Sequence, residues 1–248
     1  MSDAISAGVT TLLLDADGTL FPSEEPAFVA SAEVTKDFAA RFGLTGNFEP
    51  EHLRRTTTGK NFRTTVGELL ARQGVAIDDD ELETWVEREK TEVSAYLGRV
   101  LEPRPDVRAC LTALSREYRL AVVSSSALTR LAACFTASGL DAVLPTDVRF
   151  SAEDSLPIPT SKPDPAVYRH ALRELGIGPG QALAVEDSVT GAGSAVAAGI
   201  TTAGIVGFVP SDERADRIEA LTRCGVAWVV ESWPELTEHL LETAAVPT

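Results

Sequence analysis

Short apolar runs recur along the chain and alternate with longer stretches in which apolar residues follow a helical spacing. Six of these runs have the length and the apolar content of buried β-strands. They cover residues 9–14, 119–124, 141–144, 182–186, 201–206 and 226–231. Because strands and helices alternate, the pattern predicts an α/β fold with a doubly wound, Rossmann-like core, in which helices cover both faces of a parallel sheet.

The interval between the first two strands breaks this alternation, because it holds no strand pattern. Its apolar residues lie at helical spacing in three stretches. These stretches cover residues 28–42, 62–70 and 82–97. We therefore predict an all-helical subdomain over residues 21–101, inserted into an α/β core that consists of residues 1–20 and 102–248.

Composition limits the possible partners. Apolar residues make up 44% of the 248-residue chain, which is enough for a sizeable core. The formal net charge is −15, from 37 acidic and 22 basic residues. Nucleic acids and anionic membranes bind cationic surfaces, so this charge argues against both. A small phosphorylated substrate stays compatible with it, since one Lys, a metal ion and backbone N–H groups hold a small anion locally.

Cysteine usage and targeting signals indicate the compartment. The three cysteines, Cys110, Cys134 and Cys224, are odd in number and indicate reduced thiols rather than a disulfide framework or a zinc site. Residues 1–8 lack the basic and apolar regions of a signal peptide. The uncharged stretch 188–211 is rich in Ala and Gly, and we interpret it as a helix followed by a strand rather than a membrane span. We therefore expect a cytoplasmic protein.

The first candidate catalytic residues lie in the run Asp15-Ala16-Asp17-Gly18-Thr19-Leu20, directly after the first predicted strand. Two carboxylates thus stand at the carboxyl end of a parallel strand, where ligands bind in open α/β sheets. Gly18 allows the chain to turn sharply there. An Asp in such a place can attack phosphorus and carry an aspartyl-phosphate.

Three further elements follow in order. The second strand ends in Ser124, Lys162 precedes Pro163, and the strand over 182–186 ends in the acidic pair Glu186-Asp187. Together with the first run, these elements resemble the motifs of haloacid dehalogenase (HAD) superfamily hydrolases with a helical cap, in particular the phosphoglycolate phosphatase and β-phosphoglucomutase-like group. The resemblance covers nearly the whole chain.

The resemblance implies a role for each residue of the first three elements. Asp15 is expected to be the nucleophile, and Asp17 the general acid and base. The Ser124 hydroxyl would donate to a phosphate oxygen, with the backbone N–H groups around Asp17 and Ser125 as further donors. Lys162 would neutralise both the nucleophile and the phosphoryl oxygens.

The acidic pair implies a metal site. Carboxylates that lie close together without a positive charge between them repel one another. A hard divalent cation neutralises this repulsion, and Mg²⁺ is the cation that fits best. We expect Asp15, Asp187 and the Asp17 carbonyl as direct ligands, with Glu186 bound directly or through water. The alternative at this point is that Glu186-Asp187 merely caps the next helix.

The resemblance also limits the classes of reaction that the protein could catalyse. The second Asp of the first run argues against the dehalogenase and phosphonate-cleaving branches, which leaves phosphomonoester hydrolases and phosphomutases. The β-phosphoglucomutase group carries a His near the start of the cap, where this chain has Pro26-Ala27. We therefore expect a phosphatase that acts on a small phosphorylated metabolite. The alternatives are a sugar phosphomutase and, from another class, a binding protein without turnover.

Two polar segments are candidates for substrate selection. The segment Arg54–Asn61 joins two predicted helices and contains Arg55, Thr58 and Lys60 as candidate specificity residues; a solvated loop is the alternative. The stretch 146–160 before Lys162 is long for a connection, and it either rims the active site or is a neutral insertion. For the assembly we expect a monomer or a weak homodimer.

Overall fold

The computed structural model describes residues 8–57 and 61–244. One six-stranded sheet, in which every pairing is parallel, organises the α/β part of the chain. Its strands are β1 (Thr11–Leu14), β2 (Arg119–Ser124), β3 (Arg149–Ser151), β4 (Ala182–Glu186), β5 (Thr201–Ile205) and β6 (Trp228–Val230). They lie side by side in the order β3-β2-β1-β4-β5-β6, so the first strand is central.

Ten α-helices lie within the described residues. They are α1 (Glu24–Phe42), α2 (Pro50–Thr57), α3 (Phe62–Gln73), α4 (Asp79–Val100), α5 (Pro105–Leu114), α6 (Leu128–Ser138), α7 (Ala166–Leu175), α8 (Val189–Ala197), α9 (Arg214–Cys224) and α10 (Trp233–Ala244). The chain divides into two compact units. One is Ser23–Leu101, with α1 to α4, and the other joins residues up to Pro22 with those from Glu102 onward.

The predicted doubly wound α/β core is confirmed. All four residues of β1 are buried, although side chains alternate between the two faces of a strand, so both faces of the sheet are covered. On one face, Leu13 and Val123 pack against Tyr168 and Ala171 of α7. The uncharged stretch 188–211 forms α8 and β5, with Gly199 in a left-handed conformation between them (φ +82°).

The strand predicted over 141–144 is wrong. Those residues form a turn, and the third strand is Arg149–Ser151. The apolar side chain of Leu144 is buried in that turn. Its backbone carbonyl accepts hydrogen bonds from the buried Arg149 guanidinium at 2.9 and 2.6 Å. The stretch 146–160 is therefore not a loop throughout, because it begins with a single 3₁₀ turn and β3.

The strand register sets up the site. Leu14 of β1 pairs with Val122 of β2 on one side and with Val185 of β4 on the other. The residues that follow these three positions therefore meet at one edge of the sheet. That edge is formed by carboxyl ends, where ligands bind in folds of this kind.

The helical unit has a core of its own. Phe38 of α1 packs edge-on against Phe62 of α3 and Trp85 of α4, with ring centroids 6.1 and 5.4 Å apart. The three predicted helices correspond to α1, α3 and α4. The sequence did not predict α2. Arg54 and Arg55, which we expected in a loop, lie on this helix.

No helix in the described ranges 8–57 and 61–244 is both long enough and apolar enough to cross a membrane.

Candidate active site

Asp15 continues the sheet at the carboxyl end of β1. Its backbone N–H donates to the Val185 carbonyl at 3.0 Å, and the residue is only 7% exposed. The chain then turns at Gly18, whose φ is +77°. A β-carbon at Gly18 would lie 2.4 Å from Oδ2 of Asp187, so this turn needs glycine both for its backbone conformation and for space.

Lys162 lies at the centre of the buried polar groups. Its ammonium donates to Oδ1 of Asp15 at 2.6 Å, to Oε1 of Glu186 at 2.6 Å and to the Val123 carbonyl at 2.8 Å. These bonds use all three of its protons. Burial lowers the pKa of Lys162, but Asp15 and Glu186 raise it by more, so the group stays charged.

Two serines position the backbone that carries Lys162. The Ser125 hydroxyl accepts a hydrogen bond from the Lys162 N–H at 3.0 Å, and the Ser194 hydroxyl donates to the Asp164 carbonyl at 2.7 Å. The ring of Tyr168 lies 5.1 Å from the ammonium. The side chain of Ser125, which we expected near phosphate through its backbone, therefore also holds the lysine loop.

Glu186 is fully buried at the end of β4. Its Oε1 accepts hydrogen bonds from Lys162 and from the Tyr168 hydroxyl, whereas Oε2 has no hydrogen-bond partner among the described residues. Burial raises the pKa of Glu186 to about 7, against the lowering effect of Lys162 and with a further rise from Asp15. Burial likewise raises the pKa of the Asp15 carboxyl, although Lys162 lowers it.

Asp187 is oriented from two sides. The Thr19 hydroxyl donates to Oδ1 at 3.1 Å, and Arg217 of α9 donates to the Asp187 carbonyl at 2.8 Å. The acidic pair is not the cap of the following helix. The N-cap of α8 is Ser188, whose hydroxyl accepts from the Gly191 N–H at 3.0 Å.

Three carboxylates fit a divalent cation. Asp15, Glu186 and Asp187 each offer an oxygen, and these atoms lie within 4.8 Å of one another. The donors are hard oxygens, which suit Mg²⁺. Oε2 of Glu186 is a buried acceptor with no partner among the described residues, and such an atom is costly unless a donor or a cation satisfies it. These residues therefore fit the metal that the sequence predicts.

Asp17 and Ser124 lie beside this cluster. Oδ2 of Asp17 accepts from the Ser126 hydroxyl at 2.7 Å, and Oδ1 accepts from Arg130 of α6 at 2.8 Å. Ser124 is buried at the end of β2, and its hydroxyl oxygen accepts from the Ser126 N–H at 3.0 Å.

Sequence reasoning missed Ser126, Arg130 and Tyr168, because none of them belongs to a motif that it used.

The candidate specificity residues are only partly described. Arg55 is exposed on α2 and pairs with Glu51 one turn earlier on the same helix. Thr58 and Lys60 lie outside the described residues. Within the stretch 146–160, Asp154 accepts from the Leu128 N–H at 2.6 Å, which ties this segment to the start of α6.

Comparison with known proteins identifies one family. A model of haloacid dehalogenase-like hydrolases matches residues 9–199. The protein CbbY of Cereibacter sphaeroides is 30% identical over 222 residues, which are 85% of this chain and 91% of that protein. A phosphoglycolate phosphatase of Cupriavidus necator is 30% identical over 202 residues, 79% of this chain and 80% of that protein.

A solved structure adds a bound sugar phosphate to this comparison. The crystal structure of a CbbY mutant from Rhodobacter sphaeroides in complex with xylulose-(1,5)bisphosphate matches with a TM-score of 0.69 at 25% identity. The match covers 92% of this chain and 96% of that one.

Proposed function

The chain belongs to the haloacid dehalogenase-like hydrolase family and is a phosphatase of that family, and we propose that it hydrolyses small phosphorylated sugars with Mg²⁺ through an aspartyl-phosphate. The observation that carries the proposal is that the buried carboxylates of Asp15, Glu186 and Asp187 lie close together beside the Lys162 ammonium. A nucleophile, a cation site and a fixed positive charge are the parts that phosphoryl transfer requires.

In the first step, a carboxylate oxygen of Asp15 attacks phosphorus. The bond from phosphorus to the sugar oxygen breaks, its electron pair stays on that oxygen, and Asp17 supplies the proton. Lys162 offsets negative charge on Asp15 and on the phosphoryl oxygens, because its ammonium is buried and charged. The Ser124 hydroxyl and the backbone N–H of Ser125 donate to the phosphoryl oxygens.

In the second step, water replaces Asp15 on phosphorus. Asp17, now a carboxylate, takes a proton from the water as it attacks. The bond between phosphorus and the Asp15 oxygen breaks, which restores the Asp15 carboxylate and releases inorganic phosphate. The same residue thus acts first as acid and then as base, so each turnover ends with Asp17 protonated again.

The cation site supports this chemistry. Asp15, Asp187 and the carbonyl of Asp17 would hold Mg²⁺, with Glu186 bound directly or through water. When bound, Mg²⁺ neutralises charge on the carboxylates and on the substrate phosphate.

Relatives support a small phosphorylated metabolite, such as a sugar phosphate or a phosphorylated hydroxy acid, as the substrate. One relative is named a phosphoglycolate phosphatase, and a CbbY structure holds xylulose-(1,5)bisphosphate. We propose that residues 21–101 act as a cap that selects the substrate, with Arg55, Thr58 and Lys60 as candidates, and that the stretch 146–160 rims the site. We further propose a cytoplasmic monomer or weak homodimer without nucleic-acid or membrane partners, in line with a net charge of −15.

Phosphate release from a panel of sugar phosphates and from p-nitrophenyl phosphate, with and without Mg²⁺, tests the proposal. We expect Mg²⁺-dependent turnover in the natural protein and none in Asp15→Asn. Glu117→Gln, which changes an exposed carboxylate in the same unit just before the start of β2, serves as the matched control and should keep full activity. Full activity in Asp15→Asn would rule out the mechanism.

The products separate this proposal from its alternatives. Free phosphate in an amount equal to the sugar released indicates a hydrolase. An isomeric sugar phosphate without free phosphate indicates the mutase. Binding of sugar phosphate without any turnover indicates the binding protein.

A further inference from the structure

We propose that Arg130 is a positioning residue that holds the Asp17 carboxyl group where it gives a proton to the leaving group and takes one from water. The inference rests on the proposed function, because it takes Asp17 as the general acid and base. It goes beyond it by adding a residue outside the four sequence elements that identify the site.

The geometry gives Asp17 two directed donors. Arg130 donates to Oδ1 at 2.8 Å, and the Ser126 hydroxyl donates to Oδ2 at 2.7 Å. Both donors come from the chain that follows β2, more than a hundred residues after Asp17. Two bonds to different oxygens fix both the position and the plane of the carboxylate, which one bond would leave free to rotate.

The helix that carries Arg130 is anchored at its start. Arg130 belongs to the first turn of α6, and the Leu128 N–H at the start of that helix donates to Asp154 at 2.6 Å. The Arg130 and Asp17 side chains are 24% and 23% exposed, so the pair is largely shielded from water. An exposed ion pair contributes little to the stability of a protein. The planar guanidinium nevertheless has a fixed donor geometry, so on a helix it can fix the position of a carboxyl group.

Positioning of Asp17 has a measurable signature. A sugar alkoxide is a poor leaving group and needs a proton from Asp17, whereas p-nitrophenolate leaves without one. A misplaced Asp17 therefore slows the first step for a sugar phosphate much more than for p-nitrophenyl phosphate. A general loss of structure would slow both substrates alike.

The test measures kcat/KM of Arg130→Met on both substrates at saturating Mg²⁺. We expect a loss of about 10- to 100-fold on the sugar phosphate, because displacement of a catalytic group by about 1 Å has effects of this size, and a loss below about threefold on p-nitrophenyl phosphate. Arg130→Lys should restore part of the loss, because it keeps a cationic donor. Arg173→Met removes an exposed arginine of α7 and should change neither value.

A double variant tests whether Arg130 acts through Asp17. In the Asp17→Asn background, followed by single-turnover phosphate release, Arg130→Met should lower the rate by less than about twofold, because coupled residues are not additive. If Arg130→Met does not fold, Ser126→Ala removes the other donor and should show the same preference for the better leaving group. Equal losses on both substrates, or an undiminished loss in the Asp17→Asn background, would overturn the inference.

These outcomes are distinct from a failure of the proposed function. If the natural protein releases no phosphate from either substrate, the proposed function fails and the inference fails with it. If the natural protein is active and only the leaving-group preference is missing, the inference alone fails.

Discussion

The carboxylate of Glu186 occupies the space that a β-carbon on residue 191 would take. A β-carbon built on Gly191 would lie 1.8 Å from Oε2 of Glu186 and 2.4 Å from its carboxyl carbon. Glu186 is fully buried, and Oε2 has no hydrogen-bond partner in the described part of the chain. The absence of a side chain at position 191 therefore leaves room for the Glu186 carboxylate, one of the three carboxylates that could hold a cation.

Gly191→Ala should disable the site. The added methyl group must displace the Glu186 carboxylate, and with it the contacts to Lys162 and Tyr168. We expect Mg²⁺ affinity to fall at least about tenfold, activity about 100-fold, and the free energy of unfolding by about 1–3 kcal/mol, as for overpacked sites. Activity against Mg²⁺ concentration and urea unfolding measure these effects.

Gly193→Ala is the matched control on the same helix. A β-carbon there would meet Sγ of Cys224 at 3.6 Å and Cβ of Pro163 at 3.8 Å, which are ordinary contact distances. Because Ala favours a helix over Gly by up to about 1 kcal/mol, this variant should be active and no less stable. If both variants lose activity alike, the close approach of Gly191 to Glu186 is not the cause.

The sequence predicted which acidic and basic residues converge, because parallel strands present their carboxyl ends at one edge. Asp15, Ser124 and Glu186 each follow or end an apolar run, and the pairing of Leu14 with Val122 and Val185 brings those ends together. Their chemical roles stay predictions.

The partners of these residues were not predictable in the same way. Tyr168 lies on the apolar face of α7, and only the packing of that helix on the sheet brings its hydroxyl to Glu186. Arg130 is an ordinary basic residue of a helix in the sequence. Its contact with Asp17 depends on how α6 packs against the sheet.

Short polar elements were also missed. β3 has three residues, and its buried Arg149 and Ser151 flank a single apolar side chain, Phe150, so it carries no apolar run. The neighbouring run 141–144 was mistaken for a strand because burial in a turn also selects apolar residues. The helix α2 has Leu53 as its one apolar residue, so it shows no apolar stripe.

Tyr168→Phe should weaken the site without unfolding the protein. The variant removes the hydroxyl that donates to Oε1 of Glu186 but keeps the ring beside Lys162. At pH 8 Glu186 is ionised, because its pKa is about 7. A hydrogen bond to a charged group contributes about 1.5–3 kcal/mol, so we expect a loss of this size in the free energy of unfolding at that pH. We also expect kcat/KM to fall about tenfold, because Glu186 loses one of its two donors. Urea unfolding and steady-state kinetics measure the two effects.

Tyr118→Phe is the control for this prediction. The Tyr118 hydroxyl donates to the Leu240 carbonyl at 3.1 Å, and the residue is buried away from the site. Its loss should lower the free energy of unfolding by about 1 kcal/mol and leave kcat/KM unchanged. The same kinetic loss in both variants would show that Tyr168 affects activity only through stability.

Cys134 should resist alkylation in the folded protein. The pKa of its thiol is raised to about 12, mainly by burial and also by Asp17, against a smaller lowering by Arg130. At pH 8 about one thiol in ten thousand would then be ionised, and the thiolate is the reactive form. Mass spectrometry after iodoacetamide treatment should find Cys110 and Cys224, which are partly exposed, labelled first. Labelling of Cys134 at their rate without denaturant would contradict this prediction.

Mg²⁺ binding should depend on pH through Glu186. Its pKa in the metal-free protein is about 7, against an ordinary value of 4.5, because burial raises it more than Lys162 lowers it. Below pH 7 the folded protein therefore holds a proton that Mg²⁺ must displace. The apparent Kd should rise about tenfold for each pH unit below 7 and level off above it, because binding releases one proton. Calorimetric titrations between pH 5.5 and 8 measure this dependence.

Stability without Mg²⁺ should change in the opposite sense. Folding takes up a proton on Glu186 between its unfolded value of 4.5 and its folded value of about 7. The contribution of Glu186 to the free energy of unfolding is therefore greatest below pH 4.5 and falls by about 1.4 kcal/mol per pH unit up to pH 7. In Glu186→Gln, which has no such proton, both pH dependences should flatten. An Mg²⁺ affinity that does not change between pH 5.5 and 8 in the natural protein would show that Glu186 is already ionised without the metal.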